Sequence, residues 1–182
     1  MARATLAHLL HDVGIAAWFG GTLANAVALN KAAANADTAS STGSVANEGW
    51  DRWTPVNAAA IGVHLVGATA LLKNDYGRLK NQDGVATMAV VKTSLTAAAL
   101  AVTAYSRVLG KTRPKQGAVP AADGTTPTAS TPPQVAAAQR KLTALQWVVP
   151  ALTGGVVAVS AYASEQFRPE EVARGVLSRI TG

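Results

Sequence analysis

Charged residues are spread very unevenly along the chain. Four stretches are nearly free of them: Val13–Asn30, Thr54–Leu72, Val85–Ser106 (broken only by Lys92) and Leu142–Ser164. Each approaches the ~20 residues a helix needs to cross a bilayer. None alternates like a half-buried strand, and none carries the full polar face of a surface helix. Runs such as Thr96-Ala97-Ala98-Ala99-Leu100-Ala101-Val102 favour helix by propensity. The pattern predicts an all-α, integral membrane four-helix bundle of up-and-down topology. Its crossings fall at about 6–30, 54–73, 85–107 and 142–164, within a single membrane domain over 1–182. The competing architecture is a soluble, alanine-rich four-helix bundle.

Aromatic placement favours the membrane. With the first crossing starting on a side termed A, Trp50, Trp53, Tyr105 and Trp147 fall at the B-side ends of the later helices. Tyr76 and Tyr162 fall at or near side A. Trp and Tyr collect at membrane–water interfaces because an apolar ring carries a group that needs water. A cleaved signal peptide is the alternative for the first stretch, with Ala34-Asn35-Ala36 as the cleavage site. His8, His11 and Asp12 interrupt the apolar region that a secretory signal keeps clean, so a permanent first helix is expected.

The connections differ in kind. Residues 111–133 hold five of the eight prolines and little to bury, which predicts a flexible third loop, with Pro133 placed to start the next helix. The first connection, Lys31–Asp51, is polar and rich in small residues, and the second, Lys73–Asp83, is short and charged. The tail 167–180 reads as a short amphipathic C-terminal helix. Pro169, Glu170 and Glu171 suit its start, and Val172, Val176, Leu177 and Ile180 share one face. Lys and Arg number seven on side A and eight on side B, so the loop bias leaves orientation tied. The Pro/Thr-rich loop resembles an exported linker, which would put both termini in the cytoplasm.

Composition refines this picture. The net charge of +6 lies mostly at the crossing ends, and no Lys/Arg stripe interleaves with aromatics, so nucleic acid is not an expected partner. The absence of cysteine removes disulfides, cysteine nucleophiles and Cys-ligated metal sites. The mean hydropathy of +0.18 averages uncharged crossings with polar loops.

Polar residues inside the crossings are the candidates for chemistry. At ~1.5 Å per residue, His11 and Asp12 lie roughly 8 Å in from side A, Lys92 roughly 10 Å and His64 roughly 12 Å. Three helices thus bring an intramembrane polar cluster of His11, Asp12, His64 and Lys92 to one layer, which Ser160 is placed to join. Charge in hydrocarbon is costly, so Asp12 and Lys92 are the natural pair. The alternative has Lys92 snorkelling to side A while the histidines act as inter-helix hydrogen-bonding glue. Gly14, Gly20, Gly21, Gly62, Gly67, Gly154 and Gly155 mark places where backbones can approach.

The arrangement His11-x6-Trp18-x-Gly20-Gly21 resembles a helix of the copper-resistance D-like group of small bacterial membrane proteins, and His64-Leu-Val-Gly67 is similar. The alanine-rich composition also resembles uncharacterised four-helix membrane proteins of actinobacteria. The resemblance implies heme b or copper, with His11 and His64 as candidate ligands. Only Met1 and Met88 are present, where a copper handler carries Met- and His-rich segments. No phosphate loop, His-Glu-x-x-His site or nucleophile elbow occurs. The leading expectation is a non-enzymatic accessory or scaffold component of a membrane assembly, with lipid, other membrane proteins or its own copies as partners. The alternatives are a redox protein using His11 and His64, and a proton or ion transport element using Asp12 and Lys92.

Overall fold

A computed structural model describes residues 2–81, 83–112 and 119–165, and among them the chain is helical apart from short connections. Helix α1 (Ala2–Ala24) runs through a π turn (Asn25–Leu29) into the short α2 (Asn30–Ala32) and a 3-10 turn (Ala33–Asn35). Then follow α3 (Ala39–Asn74), α4 (Tyr76–Asn81), α5 (Asp83–Gly110) and α6 (Pro133–Glu165). Four of these segments are long and apolar enough to cross a membrane.

The first connection is far more helical than expected. Thr38 caps α3, its hydroxyl accepting from the Ser41 amide, and the helix begins at Ala39 instead of near residue 54. A side-chain oxygen at this position satisfies an amide that the helix cannot pair internally. Pro133 opens α6, as its fixed φ and missing N–H allow.

Neighbouring long helices run antiparallel. Gly14 lies against His64, Gly67 against His11, and Gly49 against Leu29, so partner numbers fall along α3 as they rise along α1. Leu95 against Gly155 and Lys141 on Tyr105 show the same for α5 and α6. Helix α1 packs closely on α3 and on α6, and α5 on α6, whereas the backbones of α3 and α5 stay apart. The core is Ile15, Trp18, Ala60, Ala99, Val149 and Val156, at mid-height.

Residues 119–132, the described part of the expected flexible loop, are non-helical and make polar contacts with the helices. Val119, Ala121, Thr125 and Thr131 are buried, and Gly43 has no side chain where the Val119 carbonyl lies. The Ala121 amide donates to the Ala39 carbonyl at 3.0 Å, and the Gly124 amide to the Asn30 carbonyl at 2.9 Å. Asp123 Oδ1 accepts from the amides of Thr125 and Thr126, both at 2.8 Å, while Oδ2 pairs with Lys31 at 3.0 Å. A segment with few apolar side chains is thus held by its own polar groups. Residues 113–118 and the expected amphipathic tail at 167–180 lie outside the described residues.

Asn30 ties this end together. It is 1% exposed; its Nδ2 donates to Gln146 Oε1 at 2.8 Å, and its Oδ1 accepts from Trp50 Nε1 at 3.0 Å. Trp50 therefore turns inward, and the Trp53 ring covers Gly21. Only Tyr105 and Trp147 of the expected side-B aromatics are exposed, with Tyr76 and Tyr162 exposed at the other end.

Candidate functional site

The contact between α1 and α3 is built from one pattern used twice. Ala7-x3-His11-x2-Gly14 on α1 matches Ala60-x3-His64-x2-Gly67 on α3. A methyl at Gly14 would run into the His64 amide nitrogen and the Ala60 carbonyl. One at Gly67 would meet the His11 amide nitrogen and the Ala7 carbonyl. Exchanging the two segments reproduces the same contacts, so a local two-fold axis passes between them. Only glycine lets the backbones meet this closely, and the close approach brings the imidazoles together. Their ring centroids are 4.6 Å apart at an interplanar angle of 50°.

His64 is fully buried, and its Nδ1 donates to the His11 carbonyl at 3.2 Å. A carbonyl only accepts, so the neutral ring carries its proton on Nδ1 and presents Nε2 as an acceptor. That nitrogen faces the Thr96 hydroxyl across 3.4 Å. Trp18 packs edge-on at 6.3 Å. His11, 4% exposed, instead donates from Nδ1 to Asp12 Oδ1 at 2.7 Å. Leu65 occupies the corresponding position on α3, so the acidic residue breaks the local symmetry.

The Asp12–Lys92 pair expected from shared depth is not formed as a direct contact. Successive helix residues are about 100° apart, so a buried His11 turns Asp12 to the outer face of α1, where it is 64% exposed. Lys92 is half-buried across the α3/α5 seam and lines a cavity of about 240 Å³ with His11, His64, Thr96 and Asp75. The carboxylates whose charge acts on it are Asp75 first and Asp12 second. The Ser160 hydroxyl is buried without a partner and does not line this cavity.

The residues do not fit the heme or copper that the resemblance implies. Two axial ligands must stand on opposite faces of a porphyrin, and imidazoles in direct contact leave no plane between them. For copper, each Nδ1 is committed to a neighbouring oxygen, which leaves one nitrogen per ring and at most two imidazole donors. No group of three His, Cys, Asp or Glu side chains able to hold a metal occurs among the described residues. What the arrangement supplies is a pair of neutral-capable bases, a hydroxyl and an amine around one small cavity. Comparison with family models, curated proteins and solved structures finds no match to this chain.

Sequence reasoning located His11, Asp12, His64 and Lys92 in one layer but missed Thr96, Asp75 and the duplicated pattern. The recurrence of Ala-x3-His-x2-Gly was the available signal for the last. Thr96, one turn beyond Lys92, follows from helical periodicity once His64 is placed.

Proposed function

We propose that the chain is an integral membrane protein of four crossings in an up-and-down bundle. In this reading it is a non-enzymatic component of a membrane assembly, resident in the cell membrane with both termini cytoplasmic. Insertion is supported by the charged ends. Asp51 to Lys73 on α3 spans 22 residues and Asp83 to Arg107 on α5 spans 24. At ~1.5 Å per residue these are about 33 and 36 Å, matching a hydrocarbon core of about 30 Å. Between them the outer surface carries Leu9, Val13, Val56, Val66, Val90 and Trp147, all exposed.

The outward face of α1 carries the assembly reading. Asp12 is level with Val66, seven residues inside Lys73, which is about 10 Å into the apolar zone. A carboxylate facing lipid near a helix centre costs about 2.5–3.5 kcal/mol on insertion scales. His11 supplies one hydrogen bond and leaves the rest of the group uncovered. Ala16, Gly20 and Ala24 continue the same face, and a side chain at Gly20 would meet nothing. Small residues below a carboxylate fit a partner helix that approaches closely and brings a cation or hydrogen-bond donor to Asp12. A transport path needs Asp12 and Lys92 on one route, whereas Asp12 is exposed on α1 and does not line the cavity that Lys92 lines.

Light scattering on the protein in mild detergent, with and without prior cross-linking in native membranes, tests this. The wild type should run well above its 18.5 kDa chain mass. Gly20→Leu and Asp12→Leu should fall to that mass while keeping their helical circular dichroism. A wild type at 18.5 kDa after cross-linking would refute the assembly, and release by alkaline carbonate would refute insertion.

A further inference from the structure

The cavity beside the histidines carries two opposite charges that do not meet. Asp75, from the end of α3, and Lys92, from α5, both line it, and both are half-buried. Their nitrogen and oxygen atoms are more than 4.0 Å apart. Among the described residues neither side chain has an ion pair or a hydrogen bond with any other group. Neither end group is sealed in protein, and each presents surface to the space it lines. Asp75 is also the carboxylate whose charge acts most on the Lys92 amine, so the two face one another across that space.

The two charges enter at different heights. His64 meets Thr96 and Asp51 meets Arg107, so α3 and α5 run antiparallel and Asp75 is about level with Val85. Lys92 lies seven residues further along α5, about 10 Å deeper, and its stem spans part of that height. The walls between are apolar, through Leu72, Val85 and Met88. The volume of about 240 Å³ is below the roughly 300–1,000 Å³ of sites for drug-sized ligands, so it suits one small molecule.

An ammonium only donates and a carboxylate only accepts. An occupant must therefore offer acceptor oxygens to Lys92 and donors to Asp75. A simple anion would be repelled by Asp75 and leave it unpaired, and a simple cation meets the same objection at Lys92. A molecule with both charges on an apolar body satisfies the two charges and the walls together. We propose that the cavity binds a small zwitterion with an apolar side chain, an α-amino acid such as leucine. Its carboxylate pairs with Lys92, its ammonium with Asp75, and its side chain packs on Leu72 and Met88. The site needs neither Asp12 nor a partner helix, so it stands apart from the assembly.

Isothermal titration of the full-length chain in detergent with L-leucine, alongside native mass spectrometry, tests the assignment. Saturable one-to-one binding is expected. Leucinamide, which lacks the carboxylate, and 4-methylpentanoate, which lacks the ammonium, should each bind at least tenfold more weakly. Lys92→Met and Asp75→Asn should each weaken leucine at least tenfold with helical circular dichroism unchanged, while Lys92→Arg should retain binding. Asp75→Asn should also lose the preference for leucine over 4-methylpentanoate, a change of selectivity that a general loosening of the bundle would not produce. Absence of saturable binding, as when water alone bridges the two charges, overturns the proposal. Equal affinity of the wild type for leucine and 4-methylpentanoate overturns it too. Tighter binding of dihexanoyl phosphatidylethanolamine than of leucine would keep the zwitterion chemistry and overturn the free amino acid as its source.

Discussion

Substituting Gly14 and Gly67 by alanine, singly and together, measures what the duplicated pattern contributes. A methyl built on Gly14 comes within 2.7 Å of the Ala60 carbonyl oxygen and 2.8 Å of the His64 Cα. One on Gly67 comes within 2.8 Å of both the Ala7 oxygen and the His11 Cα. Ordinary contact begins near 3.4 Å, so α1 and α3 must separate by more than half an ångström. The obstacle is backbone, which no rotamer change relieves. Overpacking of this kind costs about 1–3 kcal/mol. With backbone as the obstacle the upper end, about 3 kcal/mol, applies. Alanine recovers up to about 1 kcal/mol of helix propensity, so each single variant should lose about 2 kcal/mol net.

The double variant separates this account from a generic steric one. Both methyls press on the same helix pair across one local axis, so the displacement forced by the first accommodates much of the second. The double loss should remain near 2–3 kcal/mol instead of about 4, a coupling well above the ~0.5 kcal/mol scatter of independent sites. Gly62 is the control, since a methyl there meets nothing and should stabilise by roughly 0.5–1 kcal/mol. Unfolding in mixed micelles, followed by circular dichroism and by the fluorescence of Trp18 against His64, reads all four variants. Additive losses, or single variants as harmless as Gly62→Ala, would refute the reasoning.

Asn30→Leu removes the acceptor of Trp50 Nε1 and the donor to Gln146 at one buried position. It should cost about 2–4 kcal/mol, the penalty of two side-chain groups left buried and unpaired, and should speed amide exchange over 119–132. Burial raises the Asp123 carboxyl, but the Thr125 amide, Lys31 and Thr126 outweigh it and hold the group below the usual carboxylate range. A folded-state value below the unfolded one stabilises fully above about pH 4 and is lost as pH falls through the folded value. Amide protection of 119–132 should accordingly persist to about pH 4 and decline below it. Asp123→Asn should weaken protection at neutral pH and flatten that dependence; an unchanged acid profile would contradict the assignment.

The helices and the polar layer were legible in the sequence because both depend on one-dimensional quantities. Charge-free length marks a crossing, and rise per residue converts position into depth. Azimuth was harder to read. Asp12 and His11 share a depth, yet a 100° step sends one inward and the other outward, so the expected pairing with Lys92 became pairing with His11. Of the third loop, residues 119–132 are tied down by polar atoms, with Asp123, Thr131 and Gly124 meeting Lys31, Pro120 and Asn30, which no apolar pattern announces. Composition counts what can be buried and not what can be hydrogen-bonded across ninety residues of chain. Trp50 and Trp53 show the same limit, since an indole at a helix end faces lipid or core according to azimuth.

The placement of the two cavities follows from how the helices pair. Glycines weld α1 to α3 at Gly14 and Gly67, while α5 and α6 pack along their length. What remains is the α3/α5 seam, bridged by side chains at two heights. His64 reaches Thr96 at one and Asp51 reaches Arg107 at the other. A space opens beside each bridge, and His11, His64, Thr22, Asn57 and Thr125 are buried polar residues that line one or the other. The contact between α3 and α5 is thus made by side chains and not by backbones, and that is why the space between these two helices is where both cavities lie.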